Sequence, residues 1–213
     1  MPLKTILFLT ILISGSFASI FYHPFIGVLN YIVTYNISPA HRWWGAPLKA
    51  LGIQYGKVVV ASIVLGILLH RNKLKYKKLL HKQEIFLILF VIIIWLSHFW
   101  GLPEGSLIVR NAIKMAKVLI FLLMFSHIIT DLKKYEAVIW TMILVGLYQG
   151  YAAYIAPSWT FRHGRLDIGL GGPDFMEGNF LGAHFAMLLP FIGIMFIKGT
   201  WKRKFICFLA AVF

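Results

Sequence analysis

Arg110, Lys114 and Lys117 follow one another at i, i+4 and i+7, a spacing that puts three cations on one face at the outer end of a helix running to Ile129. Such a stripe suits a diphosphate at a membrane surface, where charge-assisted hydrogen bonds hold the anion and stabilise its departure as a leaving group. The same long side chains can instead snorkel to the interface and bind nothing. A second polar stretch, PSWTFRHGRLDIGLGGPDFMEGN over 157–179, carries Arg162, His163, Arg165, Asp167, Asp174 and Glu177 among glycines. There Arg165 can fork onto phosphate and His163 can carry a proton, although a solvated loop with turn glycines explains the same letters. Asp174 followed by Glu177 ahead of an apolar run reads as a capping box that starts a helix. With no His-x-x-x-His pair, no Asp-x-Asp and no Walker-type loop, neither a metal nor a nucleotide cofactor is expected. Cys207 is the single cysteine, so the chain holds no internal disulfide and no multi-cysteine metal site.

These residues need a scaffold, and composition says what kind. The 213 residues are 60% hydrophobic and 13% charged, with a mean hydropathy of +0.80, outside the balance of a soluble domain. Apolar runs recur at 5–21, 24–37, 58–69, 85–100, 118–129, 137–156 and 180–197. A spanning helix needs roughly 20 apolar residues, which the longer runs supply. Backbone in lipid must satisfy its own hydrogen bonds, and the runs lack the alternation of barrel strands, so they read as helices. The expected class is an all-α, polytopic transmembrane helix bundle, one multi-span membrane domain over 1–213 with no internal repeat.

A formal net charge of +14 raises the question of nucleic acid, and the placement of the charges answers it. Arg71, Lys73, Lys75, Lys77, Lys78 and Lys82 fill one loop, Lys133 and Lys134 a second, and Lys198, Lys202, Arg203 and Lys204 a third. Basic residues concentrated in alternate loops are the positive-inside pattern, beside the anionic lipid of a bilayer, and no stacking aromatics interleave them as nucleic-acid binding would require. These loops are assigned to the cytoplasm, and 38–54, 101–112 and 157–178 to the outer face. Two full crossings before residue 38 would put Lys4 outside, whereas one crossing, or a short hairpin of half-spans broken near His23 and Pro24, would keep it inside. Lys4 ahead of an apolar run also mimics a secretory signal, but apolar sequence resumes at once. Gly178, Gly182 and Ala186 form a stripe on which another helix can approach closely, and Pro190 is placed to kink the same helix. His98, His127 and His184 each stand alone. The last run, 205–213, stops at less than half a span, so the chain is expected to be the N-terminal part of a longer protein.

Three stretches resemble the O-antigen ligase and polymerase superfamily, most closely its branch of O-glycosylation ligases associated with exosortase systems. They are HPFIGVLNYIVTYNISPAHRWWG near the N-terminus, LPEGSLIVRNAIKMAKVLIFLLMF, and GRLDIGLGGPDFMEGNFLGAHFAMLLPFI. The first is similar to that branch's Pro-x-x-Gly-Val opening and its Pro-x-His-Arg element, the second to the family's outer loop and lysine-bearing helix. The third is similar to the family signature of an Arg, a Gly-Pro turn, an Asn and an apolar helix ending in Leu-Pro. Where the commoner pattern has adjacent asparagines, this chain has Glu177, Gly178 and Asn179.

The resemblance implies a multi-pass protein of the bacterial inner membrane that transfers a glycan from an undecaprenyl diphosphate carrier to a lipid or protein acceptor on the periplasmic side, without metal, nucleotide or other cofactor. Arg110, Lys114, Lys117 and Arg165 would neutralise the diphosphate, with His163 and Asn179 as weaker candidates. The base is expected beyond Phe213, which would leave this piece inactive by itself. A polysaccharide polymerase of the same fold fits equally, and a transporter that binds an anion at Lys114 and Lys117 is the alternative from another class.

Overall fold

The computed structural model describes residues 3–71, 81–100, 105–162, 165–166 and 178–212. Among them are nine α-helices: α1 (Leu3–Phe21), α2 (Pro24–Asn36), the single-turn α3 (Ala46–Lys49), α4 (Tyr55–Leu69), α5 (Lys82–Trp100), α6 (Gly105–Ile128), α7 (Leu132–Tyr154), α8 (Gly178–Lys198) and α9 (Trp201–Val212). The described strands are one antiparallel pair of two residues each, β1 (Phe161–Arg162) and β2 (Arg165–Leu166), so the class is all-α. Within four segments, Leu3–Phe21, Val109–Ile128, Leu132–Tyr154 and Gly178–Lys198, helix length and apolarity suffice to cross a membrane. Large apolar side chains such as Phe17, Ile93 and Ile197 point outward, as they do when lipid is the solvent. The protein is a helical membrane protein.

The chain forms two compact units, Met1–His70 with Lys133–Phe213, and Arg71–Leu132. In the first, the turn at Tyr22–His23 reverses the chain between α1 and α2. His23 is the N-cap of α2, its Nδ1 accepting from the Phe25 N–H at 3.1 Å, and Pro24 opens the helix where a missing N–H costs nothing. Helices α1, α2 and α4 pack as a trio on small residues: a Cβ on Gly15 would lie 2.5 Å from Asn30 Cγ, one on Gly27 would lie 2.6 Å from Ile63, and one on Gly66 would strike the Ser19 carbonyl. Such close approach is the means by which helices associate where lipid removes the hydrophobic drive. Polar groups seal the trio, with Asn30 Nδ2 donating to the Leu12 carbonyl at 3.2 Å and Ser19 Oγ to the Ser62 carbonyl at 3.3 Å. Against it, α7, α8 and α9 share a core of Ile139, Ile143, Leu188, Ile192, Met195 and Cys207.

The ends of this unit sort by charge. Lys4 Nζ stands 4.5 Å from the Trp43 ring centre, so α1 starts beside the 37–54 segment and α1–α2 is a hairpin. At the opposite end Lys134 lies 6.0 Å from the Phe25 ring and Arg203 reaches Glu136 at 2.6 Å, bringing two of the predicted basic loops together. The third, Arg71 to Lys82, falls mostly outside the described residues. In the second unit α5 and α6 pair. Glu84, the third residue of α5, accepts the His81 N–H at 2.7 Å, the return half of a capping box, and also takes a hydrogen bond from Ser126 of α6.

Two details of the sequence reading change. Among the described residues nothing lies within 4 Å of a Cβ built on Gly182, and one on Gly178 would strike the Leu166 carbonyl of β2 rather than a helix; the close helix contacts include Gly15, Gly27 and Gly66, and Gly146 of α7, where a Cβ would lie 2.6 Å from Leu188 of α8. His127 does not stand alone either. Its Nδ1 lies 3.1 Å from Ser126 Oγ and 3.8 Å from Glu84.

Candidate functional site

Arg110, Lys114 and Lys117 all lie on α6 with exposed side chains. At about 1.5 Å per residue the stripe runs roughly 10 Å along the axis. The expectation placed it at the outer helix end, whereas α6 begins at Gly105, so Lys117 falls at the helix midpoint, inside the stretch apolar enough to span. A charge at that depth cannot face hydrocarbon without a large cost, so it must face water, an anion or protein.

Arg165 belongs to the other unit, on β2, in antiparallel register with Arg162 of β1. His163, Asp167, Asp174 and Glu177 lie outside the described residues. Asn179 is exposed in the first turn of α8, which begins at Gly178; the capping box expected at Asp174 and Glu177 lies outside the described residues. His184 is half-buried beside Phe185. The four cations expected to share a site thus divide between two units, three on α6 and one on β2.

The structure adds a polar cluster that the sequence reading treated only as part of a motif. Arg42, in the 37–54 segment, is 5% exposed. Its Nη2 donates to the Asn36 backbone carbonyl at 2.7 Å, and Gln149 Nε2 of α7 donates to the same oxygen at 3.0 Å. Tyr148 stands with its ring 6.0 Å from Arg42 Cζ. Burial lowers the Arg42 pKa to about 10, with Tyr148 opposing; that value is well above neutral, so the charge is kept. Arg42 Nε and Nη1, Asn36 Oδ1 and Gln149 Oε1 are buried without a hydrogen-bond partner among the described residues. Each such group costs about 1–3 kcal/mol if left dry, and two donors beside two acceptors make a site polar enough for water.

The one described carboxylate of this unit, Glu136, is held by Arg203 at the opposite end. The end that carries Lys4, Arg42, Lys49 and Lys57 is therefore positive without compensation from a described side chain. In a membrane, a buried charge of this kind marks function more often than fold. The only sequence signal for it was an arginine between prolines and tryptophans, PAHRWWGAP.

No family model, no curated protein and no solved structure matches this chain.

Proposed function

We propose that the protein acts on a lipid-linked glycan at the outer face of a bacterial inner membrane, transferring the glycan from an undecaprenyl diphosphate carrier to a lipid or protein acceptor. The observation that carries this reading is the exposed line of Arg110, Lys114 and Lys117 within a span-forming stretch of α6. A line of cations running from the edge of that stretch at Arg110 to its middle at Lys117 suits a ligand that is itself anionic and anchored in lipid, and a diphosphate leaving group gains most from them as its charge develops. The paired register of Arg162 and Arg165 supplies further positive charge in the first unit.

Glycan transfer to endogenous acceptor, followed in membranes that carry the gene, tests this reading. Lys117→Ala and Arg165→Ala should each lower transfer by about tenfold or more while the protein level stays constant, and Arg165→Lys should recover only part, since a point charge lacks the planar fork. Wild-type rates in both alanine variants would remove these cations from the mechanism, and no transfer by the wild type would favour an anion transporter instead.

A further inference from the structure

The α5–α6 hairpin is joined by a single carboxylate. Glu84 is the only Asp or Glu in the first 103 residues of the chain, and it is 6% exposed at the start of an apolar helix. Its Oε2 accepts the His81 N–H at 2.7 Å and caps α5, while its Oε1 accepts the Ser126 hydroxyl of α6. A helical serine ordinarily gives its proton to a carbonyl of its own preceding turn, and Ser126 Oγ does stand 2.9 Å from the Leu123 carbonyl. That oxygen has a second donor, since His127 Nδ1 lies 2.7 Å from it. With Nδ1 protonated the imidazole satisfies the carbonyl, and the serine proton goes to the carboxylate, the stronger acceptor.

The place of Ser126 around α6 gives this contact a consequence. At about 100° per residue, Lys114 and Lys117 lie within about 40° of Arg110, and Ser126 lies about 160° from it. Ala112, Leu119 and Leu123 fall within about 60° of Ser126; Ala112 is 1% exposed and the two leucines are half-buried, whereas the three cations are exposed. The face that carries Ser126 is therefore turned to α5, and the cations point the other way. Glu84 meets α6 about 14 Å beyond Lys117 along the axis, too far to pair with the cations, so it acts on them through the rotation of the helix and not as their counter-ion. We propose that Glu84 is the positioning residue of the cationic face: by taking the Ser126 hydroxyl it fixes the rotation of α6 so that Arg110, Lys114 and Lys117 face away from α5. That these cations then meet a lipid diphosphate rests on the proposed transfer; the rotation does not.

The test reads the rotation directly, on the full chain in nanodiscs, as the rate at which a charged methanethiosulfonate modifies Lys114→Cys on the cationic face and Leu119→Cys on the face toward α5; Cys207 is buried and adds no background. With Glu84 and Ser126 intact, Lys114→Cys should react about tenfold faster or more. Ser126→Ala leaves the cap on His81 in place and removes only the contact between helices. Loss of one hydrogen bond to a charged acceptor corresponds to a factor of about ten, enough to bring the two rates together. Glu84→Ala should do the same, and the two changes combined should go no further than either one, since they remove one contact. Ser126→Thr keeps the hydroxyl and should restore the difference. Ser97→Ala on α5, whose hydroxyl bonds its own helix at the Ile94 carbonyl, should change nothing.

An undiminished rate difference in Ser126→Ala would overturn the proposal, whether or not Glu84→Ala folds, because the carboxylate would then serve only the cap. Glycan transfer is measured in the Ser126 variants with all three cations present. It should fall in Ser126→Ala and return in Ser126→Thr at constant protein level, which a general loss of stability would not produce. Merged rates with full transfer would remove the positioning role, and merged rates with no transfer by the wild type would leave the clamp standing and remove the enzyme.

Discussion

Arg42 and Gln149 donate to one acceptor, the backbone carbonyl of Asn36, at 2.7 and 3.0 Å. Asn36 closes α2, Arg42 belongs to the segment after it, and Gln149 comes from α7 more than a hundred residues later. That oxygen therefore pins three elements together. Gln149→Leu should lower stability by about 1 kcal/mol, because Arg42 still satisfies the carbonyl and the leucine removes the unpartnered Oε1. Urea unfolding in micelles measures it, and a loss several times larger would mean that Arg42 cannot hold the contact by itself.

Glycines separate close packing from open surface. A methyl at Gly66 meets the Ser19 carbonyl, a backbone atom that cannot swing away, whereas one at Gly182 meets nothing. Gly66→Ala should cost about 1–3 kcal/mol through overpacking. Gly182→Ala should be neutral or raise stability by up to about 1 kcal/mol, the helix propensity gained. Thermal unfolding of the two variants side by side checks the contrast; equal behaviour would deny the α1–α2–α4 contact.

Orientation follows from the hairpin. Lys4 sits beside Trp43, so if positive-inside sorting holds for the loops at Lys133 and Lys198, the first residues lie outside. Cys207 is fully buried and should stay silent to a polar reagent. In intact cells an impermeant maleimide should label Lys4→Cys, Leu51→Cys and Trp159→Cys, and should reach Lys133→Cys and Trp201→Cys only after permeabilisation. Lys4→Cys behaving like Trp201→Cys would break the hairpin topology; a complete exchange of the two groups would invert the orientation.

The helices were legible because lipid makes a simple demand, long apolar runs between basic loops, and runs such as 180–197 reappear within α8. The turn at His23 was legible for a local reason, a cap followed by proline. Which glycines carry packing was not, because Gly182 and Gly66 look alike until a neighbour's backbone is placed against one of them. The cluster at Arg42 was hidden for the same reason: Gln149 is distant in sequence, and nothing local announces that both reach one carbonyl. The cations of α6 were found by spacing, but their depth in the helix required knowing that it begins at Gly105.

Arg42 allows fold and ligand binding to be separated. It is buried, it retains its charge at neutral pH, and two of its three nitrogens have no partner among the described residues. A buried charge that serves only the fold is a poor investment, since replacing it with an apolar side chain of similar volume is often neutral or stabilising. Arg42→Met should therefore fold, within about 1 kcal/mol of wild type, because Gln149 still satisfies the Asn36 carbonyl. Undecaprenyl diphosphate, the carrier in the proposed transfer, should raise the melting temperature of the wild type, and the same variant should lose that rise, because the cation behind Tyr148 is gone. Arg42→Lys should keep part of that rise, as a point charge in place of a planar group. A methionine variant that unfolds while the lysine variant behaves as wild type in stability would make Arg42 a structural cation, and an unaltered ligand shift in Arg42→Met would show that its charge takes no part in binding the carrier.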